Sequence, residues 1–145
     1  MKLETKHFGE INVEEDKIIS FRDGLPGFSN LNRFILMADP DEAADKKGMF
    51  YWLQSVDDGE TAFALMDVVK VMPEYNPLVE EAEVSELGAY DPSHFCMYNV
   101  VKLPEDIKEA TVNLKAPILI NQESKVGKQV ICTNDEYKIS HFMFK

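Results

Sequence analysis

Few residues of this chain could do covalent chemistry, and their spacing suits no catalyst. The three histidines, His7, His94 and His141, stand far apart, and none shares a metal-binding spacing such as HExxH with an acid or a second histidine. Each falls in a strand-like run, where a packed or solvated histidine is the economical reading. Cys96 and Cys132 sit in the apolar stretches HFCMYNVV and QVICT with no CxxC pair, so they read as reduced, buried thiols and not as a disulfide or a metal clamp. Ser55 and Ser85 lack the GxSxG setting of an activated nucleophile. Carboxylates are so abundant, 26 acids against 15 bases, that a pair at any given spacing is no sign of acid–base work. The expectation is a protein that is not an enzyme, with no catalytic residue, no metal ligand and no cofactor.

The stretch GLPGF at 24–28 raises the question of a ligand cradle. A phosphate loop needs glycines between a strand and a helix, with a lysine or the helix N-terminus aimed at the anion. Here SNLNRFILMA follows, which reads as a strand, and there is no GK[ST] and no third glycine. Leu25-Pro26-Gly27-Phe28 fits a type II turn instead: proline sets φ at the second position and glycine takes a positive φ at the third. The turn would seat Phe21 and Phe28 in the core.

The less ordinary feature is a charge pattern. The 31 residues between Lys70 and Lys102 contain no lysine or arginine, but they hold Glu74, Glu80, Glu81, Glu83, Glu86 and Asp91. Tyr75, Leu78, Val79, Leu87 and Tyr90 lie among them as apolar groups that could be exposed. Acids around apolar anchors suit a basic, amphipathic partner segment. The plain alternative is a solvated acidic loop. We single out Tyr75, Leu78, Glu80, Glu81 and Glu83 as a candidate partner surface. Gln54 and Ser55, polar at the end of MFYWLQS, are added as loop-facing candidates. Phe28 and Trp52 are assigned to the core. Asn113 and Asn121 read as local hydrogen-bonding residues that close strand ends.

The elements that must position these residues are mostly strands. Leu3, Thr5 and His7 alternate with Lys2, Glu4 and Lys6, and KIISF, RFILMA, MFYWLQS and TAFALMDVVKV are short runs rich in branched and aromatic residues. Turn signals bound them at Gly9, GLPG, Asp39-Pro40, Asp57-Asp58-Gly59 and Met72-Pro73. MFYWLQS–VDDGE–TAFALMD has the form of a hairpin. HFCMYNVVKL, ATVNLKAPILIN, KQVICT and YKISHFMF are again strand-like, with Pro117 at a strand start, bulge or edge because it has no N–H. Residues 77–87 permit one or two helical turns ended by Gly88, or a strand. LPEDIKEA offers one turn with Pro104 at its first helical position. The expected fold is mainly β, a small antiparallel β-barrel-like single domain spanning 1–145 with one or two short helices.

A net charge of −11 repels nucleic acid and anionic lipid, which argues against a single-strand-binding barrel. The N-terminus MKLETKHF has no apolar signal region, and no run approaches the ~18 residues of a membrane span, so a cytoplasmic protein is expected.

In order, GEINVEEDKIISFRDGLPGF, YWLQSVDDGETAFALMD, MPEYNP, YNVVKLP, TVNLKAPILIN, KQVI and a closing Y–SH run through nearly the whole chain. Their order and spacing resemble the FliW family of flagellar assembly factors. The resemblance implies a small β-barrel-like domain with no cofactor and a partner-switching role. Proteins of this kind bind flagellin in the cytoplasm and, once flagellin is exported, bind the RNA-binding translational regulator CsrA, which then releases the flagellin transcript. It implies CsrA and flagellin as partners, no direct nucleic acid or membrane binding, and a monomer when free. A barrel that holds a small ligand in its interior is the alternative.

Overall fold

The computed structural model describes residues 1–39, 49–89 and 91–143. Period-two stretches become strands: β1 (Lys2–Thr5), β2 (Gly9–Asn12), β3 (Ile19–Ser20), β4 (Arg33–Ala38), β5 (Phe50–Ser55), β6 (Ala62–Met66), β7 (Phe95–Lys102), β8 (Thr111–Val112), β9 (Ile118–Asn121), β10 (Val126–Gln129) and β11 (His141–Phe142). One short helix, α1 (Glu81–Ser85), lies between β6 and β7.

Seven strands pair in the order β7-β6-β5-β4-β3-β10-β9, and β9 pairs back onto β7, so the sheet closes on itself. Closure removes the sheet edges that would otherwise seek another chain. Neighbours are antiparallel except β3 and β10, which run parallel and meet at the single pair Val126–Ser20. β8 extends the end of β7 and β11 adds to β8. β1 and β2 form a separate hairpin.

The pleat sorts side chains onto two faces. Phe34 and Leu36 on β4, Tyr51 and Leu53 on β5, Phe63 and Leu65 on β6, Tyr98 and Val100 on β7, and Ile118 and Ile120 on β9 fill the inside together with Phe21. Gly127 on β10 belongs to that packing, because a Cβ there would run into the Phe21 ring. The alternate residues face outward beneath other segments. Ile35 and Met37 meet the β1–β2 hairpin through Leu3, Ile11 and Val13. Ala64, Met66, Met97 and Val101 meet Tyr75, Leu114 and Tyr137. Phe21, Phe34, Leu53, Leu65, Ile118 and Ile120 are fully buried, so the barrel axis is packed with side chains where an interior ligand would have to sit.

The mainly β, barrel-like fold stands as read from the sequence, with local differences. GLPGF is a turn: Gly27 has φ 83° and the Phe28 N–H donates to the Leu25 carbonyl at 2.7 Å. Phe21 is buried as expected, but Phe28 is 37% exposed and rests edge-on against Phe63 at the barrel end. Trp52 is half-buried, stacked under His7 at 5.1 Å and met edge-on by Phe8. The run ATVNLKAPILIN is two strands, because the Asn113 side chain accepts the Lys115 and Ala116 N–H groups and turns the chain. Pro117 stands just before β9, as its missing N–H requires. KQVICT leaves the ladder after Gln129. Its alternation persists, with Val130 and Cys132 buried and Ile131 72% exposed, but the Val130 and Cys132 N–H groups go to the Pro117 and Lys115 carbonyls. Of LPEDIKEA only Ile107–Glu109 is helical, a 3-10 turn that starts three residues after Pro104. Cys132 is buried and Cys96 half-buried, and both are free thiols.

Candidate partner-binding surface

Residues 74–89 leave the β6 end, cross the outside of the barrel and return to β7. Their first side chain turns inward. Tyr75 is 4% exposed; its hydroxyl donates to the Leu114 carbonyl at 2.6 Å and accepts the Asn99 amide at 2.9 Å, and its ring packs on Tyr137. Burial raises its pKa to about 12. The expectation of an exposed Tyr75 ring is therefore corrected. A buried phenol needs partners, and Asn99 and Leu114 supply them.

Gln54 and Ser55 are corrected in the same way, since both are fully buried. The Gln54 amide nitrogen donates to the Ser55 and Thr61 carbonyls at 2.9 and 3.1 Å. The Ser55 hydroxyl accepts the Asp57 and Asp58 N–H groups at 3.2 and 3.0 Å. These side chains fasten the β5–β6 loop from beneath and do not face a partner.

Leu78 and Glu81 line one groove, whereas Glu83 is held by Lys128 and Glu80 is the exposed residue before α1. The Leu78 side chain is 54% exposed, yet its backbone is held at both ends. Its N–H donates to Asn134 Oδ1 at 2.7 Å, and its carbonyl accepts the Thr133 N–H at 2.8 Å. An exposed apolar side chain on a fixed backbone loses little conformational freedom on binding. Three residues on, α1 begins with Glu81 and Glu83 in its first turn, where carboxylates suit the positive end of the helix. Gly88, with φ 105°, ends the segment in the left-handed conformation glycine tolerates. Leu87 is buried and its carbonyl accepts the Asn121 amide and the Ser124 hydroxyl, so it anchors the helix and is not exposed. Val79 is half-buried, and Tyr90 lies outside the described residues.

The acids of this segment are not equivalent. Lys128 on β10 reaches Glu83 at 2.8 Å and Glu86 at 2.7 Å, and these bonds raise its pKa. Among the described residues Glu74, Glu80 and Glu81 make no salt bridge. Asp91 is held below the usual carboxylate range by hydrogen bonds from Ser93, and it lies 3.5 Å from His94, which also approaches Glu123 at 3.3 Å. Among the described residues no group of three or more side chains is placed to hold a metal ion.

Beside α1 runs a groove of about 790 Å³. Its floor is Phe95 and Met97 of β7 with Leu119 of β9, and Val84, Pro92 and Leu78 form its apolar sides. Met97 and Leu119 are directly paired across the two strands and point away from the barrel. Glu81 stands on its lip. These floor residues escaped the sequence reading, although the period-two alternation of β7 already places Met97 opposite in face to Tyr98. Cys96 also borders the groove, and burial pushes its thiol pKa up, which keeps it protonated and unreactive. An apolar trough with a carboxylate on its lip can seat an apolar segment that carries positive charge.

The family model described as FliW protein matches residues 2–143. A relative from Alkaliphilus metalliredigens, named flagellar assembly factor FliW, is 39% identical over 145 residues, all of this chain and 87% of that one. Another with the same name, from Caldanaerobacter subterraneus subsp. tengcongensis, is 40% identical over 141 residues, 97% of this chain and 91% of its own. A crystal structure of the flagellar assembly factor FliW superimposes with a TM-score of 0.86 at 30% identity, covering 100% of this chain and 98% of the other.

Proposed function

The chain belongs to the FliW family, and from that premise we propose that it is a non-catalytic flagellar assembly factor that acts in the cytoplasm by binding flagellin and, when freed, CsrA. Its complex with CsrA would relieve repression of flagellin translation, so that synthesis follows export. The observation that carries this reading is the full-length match to flagellar assembly factors, and the surface chemistry supports it. A protein of net charge −11 bound beside an RNA-binding surface repels phosphates without occupying the RNA site. The groove beside α1, with Leu78 as anchor and Glu81 on its lip, is the contact face we assign, with Glu80 and Glu83 as neighbouring acids on the same segment. Tyr75, Gln54 and Ser55 support that face and the neighbouring loop from within.

Calorimetric titration with CsrA and with flagellin of the same organism tests the proposal. Saturable binding to each, with flagellin suppressing the CsrA signal, is expected. Absence of binding to both would overturn it.

A further inference from the structure

We infer that the edge of β10 left open beside β3 is a docking site for an extended segment of a partner polypeptide that carries an arginine or lysine. Closure of the barrel is incomplete at this seam. In a parallel pair, one residue bonds to the neighbours of the residue opposite it. Ser20 lies opposite Val126, and its N–H donates to the Lys125 carbonyl at 2.9 Å. Residue 22 is next in step, where it would meet the Gly127 carbonyl and the Gln129 N–H. The chain turns away first: the Phe21 N–H goes to the Asn32 carbonyl, and the Gly24 N–H folds back to the Phe21 carbonyl at 3.0 Å. β9 does not supply the missing partners. The Val130 N–H donates to the Pro117 carbonyl, so the antiparallel register pairs Lys128 with Leu119 and aims the backbone groups of Gly127 and Gln129 at the seam. Among the described residues nothing else meets the Gly127 carbonyl or the Gln129 N–H.

The open edge is one wall of a cleft of about 270 Å³. Residues 24–27 of the GLPGF turn form the other wall, with Glu86 and Leu87 at the side. The cleft shares no described lining residue with the groove beside α1. Gly127 is buried, and a buried carbonyl without a partner is rare in a folded chain. A strand supplies what the edge lacks, because its own N–H and C=O groups are free to pair. A helix, about 10–12 Å across with its backbone already paired, does not. Charge then selects the side chain. Gly127 faces the Phe21 ring on the inside, so Lys128 and any residue set opposite it point outward. There Glu83 and Glu86 both hold Lys128, two carboxylates on one ammonium. A second cation from the incoming strand balances the remaining negative charge.

The test is titration of the full chain with the blocked peptide Thr-Val-Arg-Val-Thr, whose β-branched residues favour the extended form, followed by amide chemical shifts and hydrogen exchange. Two controls accompany it: the same peptide methylated on the arginine backbone nitrogen, and one with glutamate in place of arginine. The methylated peptide keeps the charge and loses the N–H meant for the Gly127 carbonyl, so it separates strand pairing from attraction to an acidic surface. Saturable binding of the first peptide is expected, with the largest shift at the Gln129 amide and slower exchange there. Both controls should bind about tenfold more weakly or worse. No saturable binding, equal binding of either control, or shifts confined to Met97 and Leu119 in the groove beside α1 would each overturn the inference. So would a Gln129 amide already slow to exchange in the free chain, and slowing that grows with protein concentration would give the edge to a second copy of this chain instead.

Discussion

Leu78 and Tyr75 lie three residues apart and face opposite ways, and the sequence does not say so. Tyr75 sits between Pro73 and Pro77 in a polar stretch, a setting that suggests exposure. Its hydroxyl partners lie 24 and 39 residues away, at Asn99 and Leu114. Only the folded chain brings them together. Removing the hydroxyl in Tyr75→Phe leaves the buried Leu114 carbonyl and Asn99 amide short of a partner, so stability should fall by about 1–3 kcal/mol in chemical denaturation, with partner affinity unchanged. The same burial sets an alkaline limit. With the folded pKa at about 12 against 10.0 for a free phenol, the unfolded chain loses its proton first. The stability held by the neutral phenol is intact below pH 10.0 and is lost as pH rises towards about 12. Tyr98, raised further by burial, acts in the same direction. Denaturant midpoints measured across this range should fall with pH, and fall less steeply in Tyr75→Phe.

Among elements, the hairpin of β5 and β6 was plain from MFYWLQS–VDDGE–TAFALMD, since alternation and a glycine-containing loop are local signals. The inward turn of Gln54 and Ser55 was not, because polar residues at a strand end usually meet water. Here they replace the water that the loop backbone would otherwise bind. Ser55→Ala strands the Asp57 and Asp58 N–H groups and should cost about 1–3 kcal/mol, measured by thermal melting, while CsrA binding stays as it was. Helix α1 was half legible: the acids and Gly88 marked its ends, but a strand fitted as well. The deciding contacts are Leu87 with Asn121 and Ser124, and Lys128 with Glu83 and Glu86, all distant in sequence. Lys128→Gln frees both carboxylates. Its effect on stability should stay below about 1 kcal/mol, as for other partly exposed ion pairs, and association with a basic partner should become faster in stopped-flow mixing.

At the scale of the whole molecule, the acidic composition predicts steering and little about which face is used. Charge summed over the surface raises encounter rates with basic partners and is screened within ~8 Å at physiological salt. CsrA affinity should therefore fall as sodium chloride rises from 50 to 500 mM, by roughly three- to tenfold. A flat profile would assign the binding to apolar contacts alone. The barrel itself was readable because closure needs only the strand runs, their turns and a filled inner face. Its seam was not, because the brevity of β3 and the single parallel pairing to β10 have no local signature.

The most direct test of the assigned contact face is titration of Leu78→Asp against the unaltered protein, with CsrA and with flagellin, at one salt concentration. The Leu78 side chain is 54% exposed and its backbone is fixed by residues 133 and 134, so the thermal midpoint should not move. Loss of about tenfold or more in affinity for at least one partner is the predicted result. A folded Leu78→Asp protein that binds both partners as tightly as before would contradict the account.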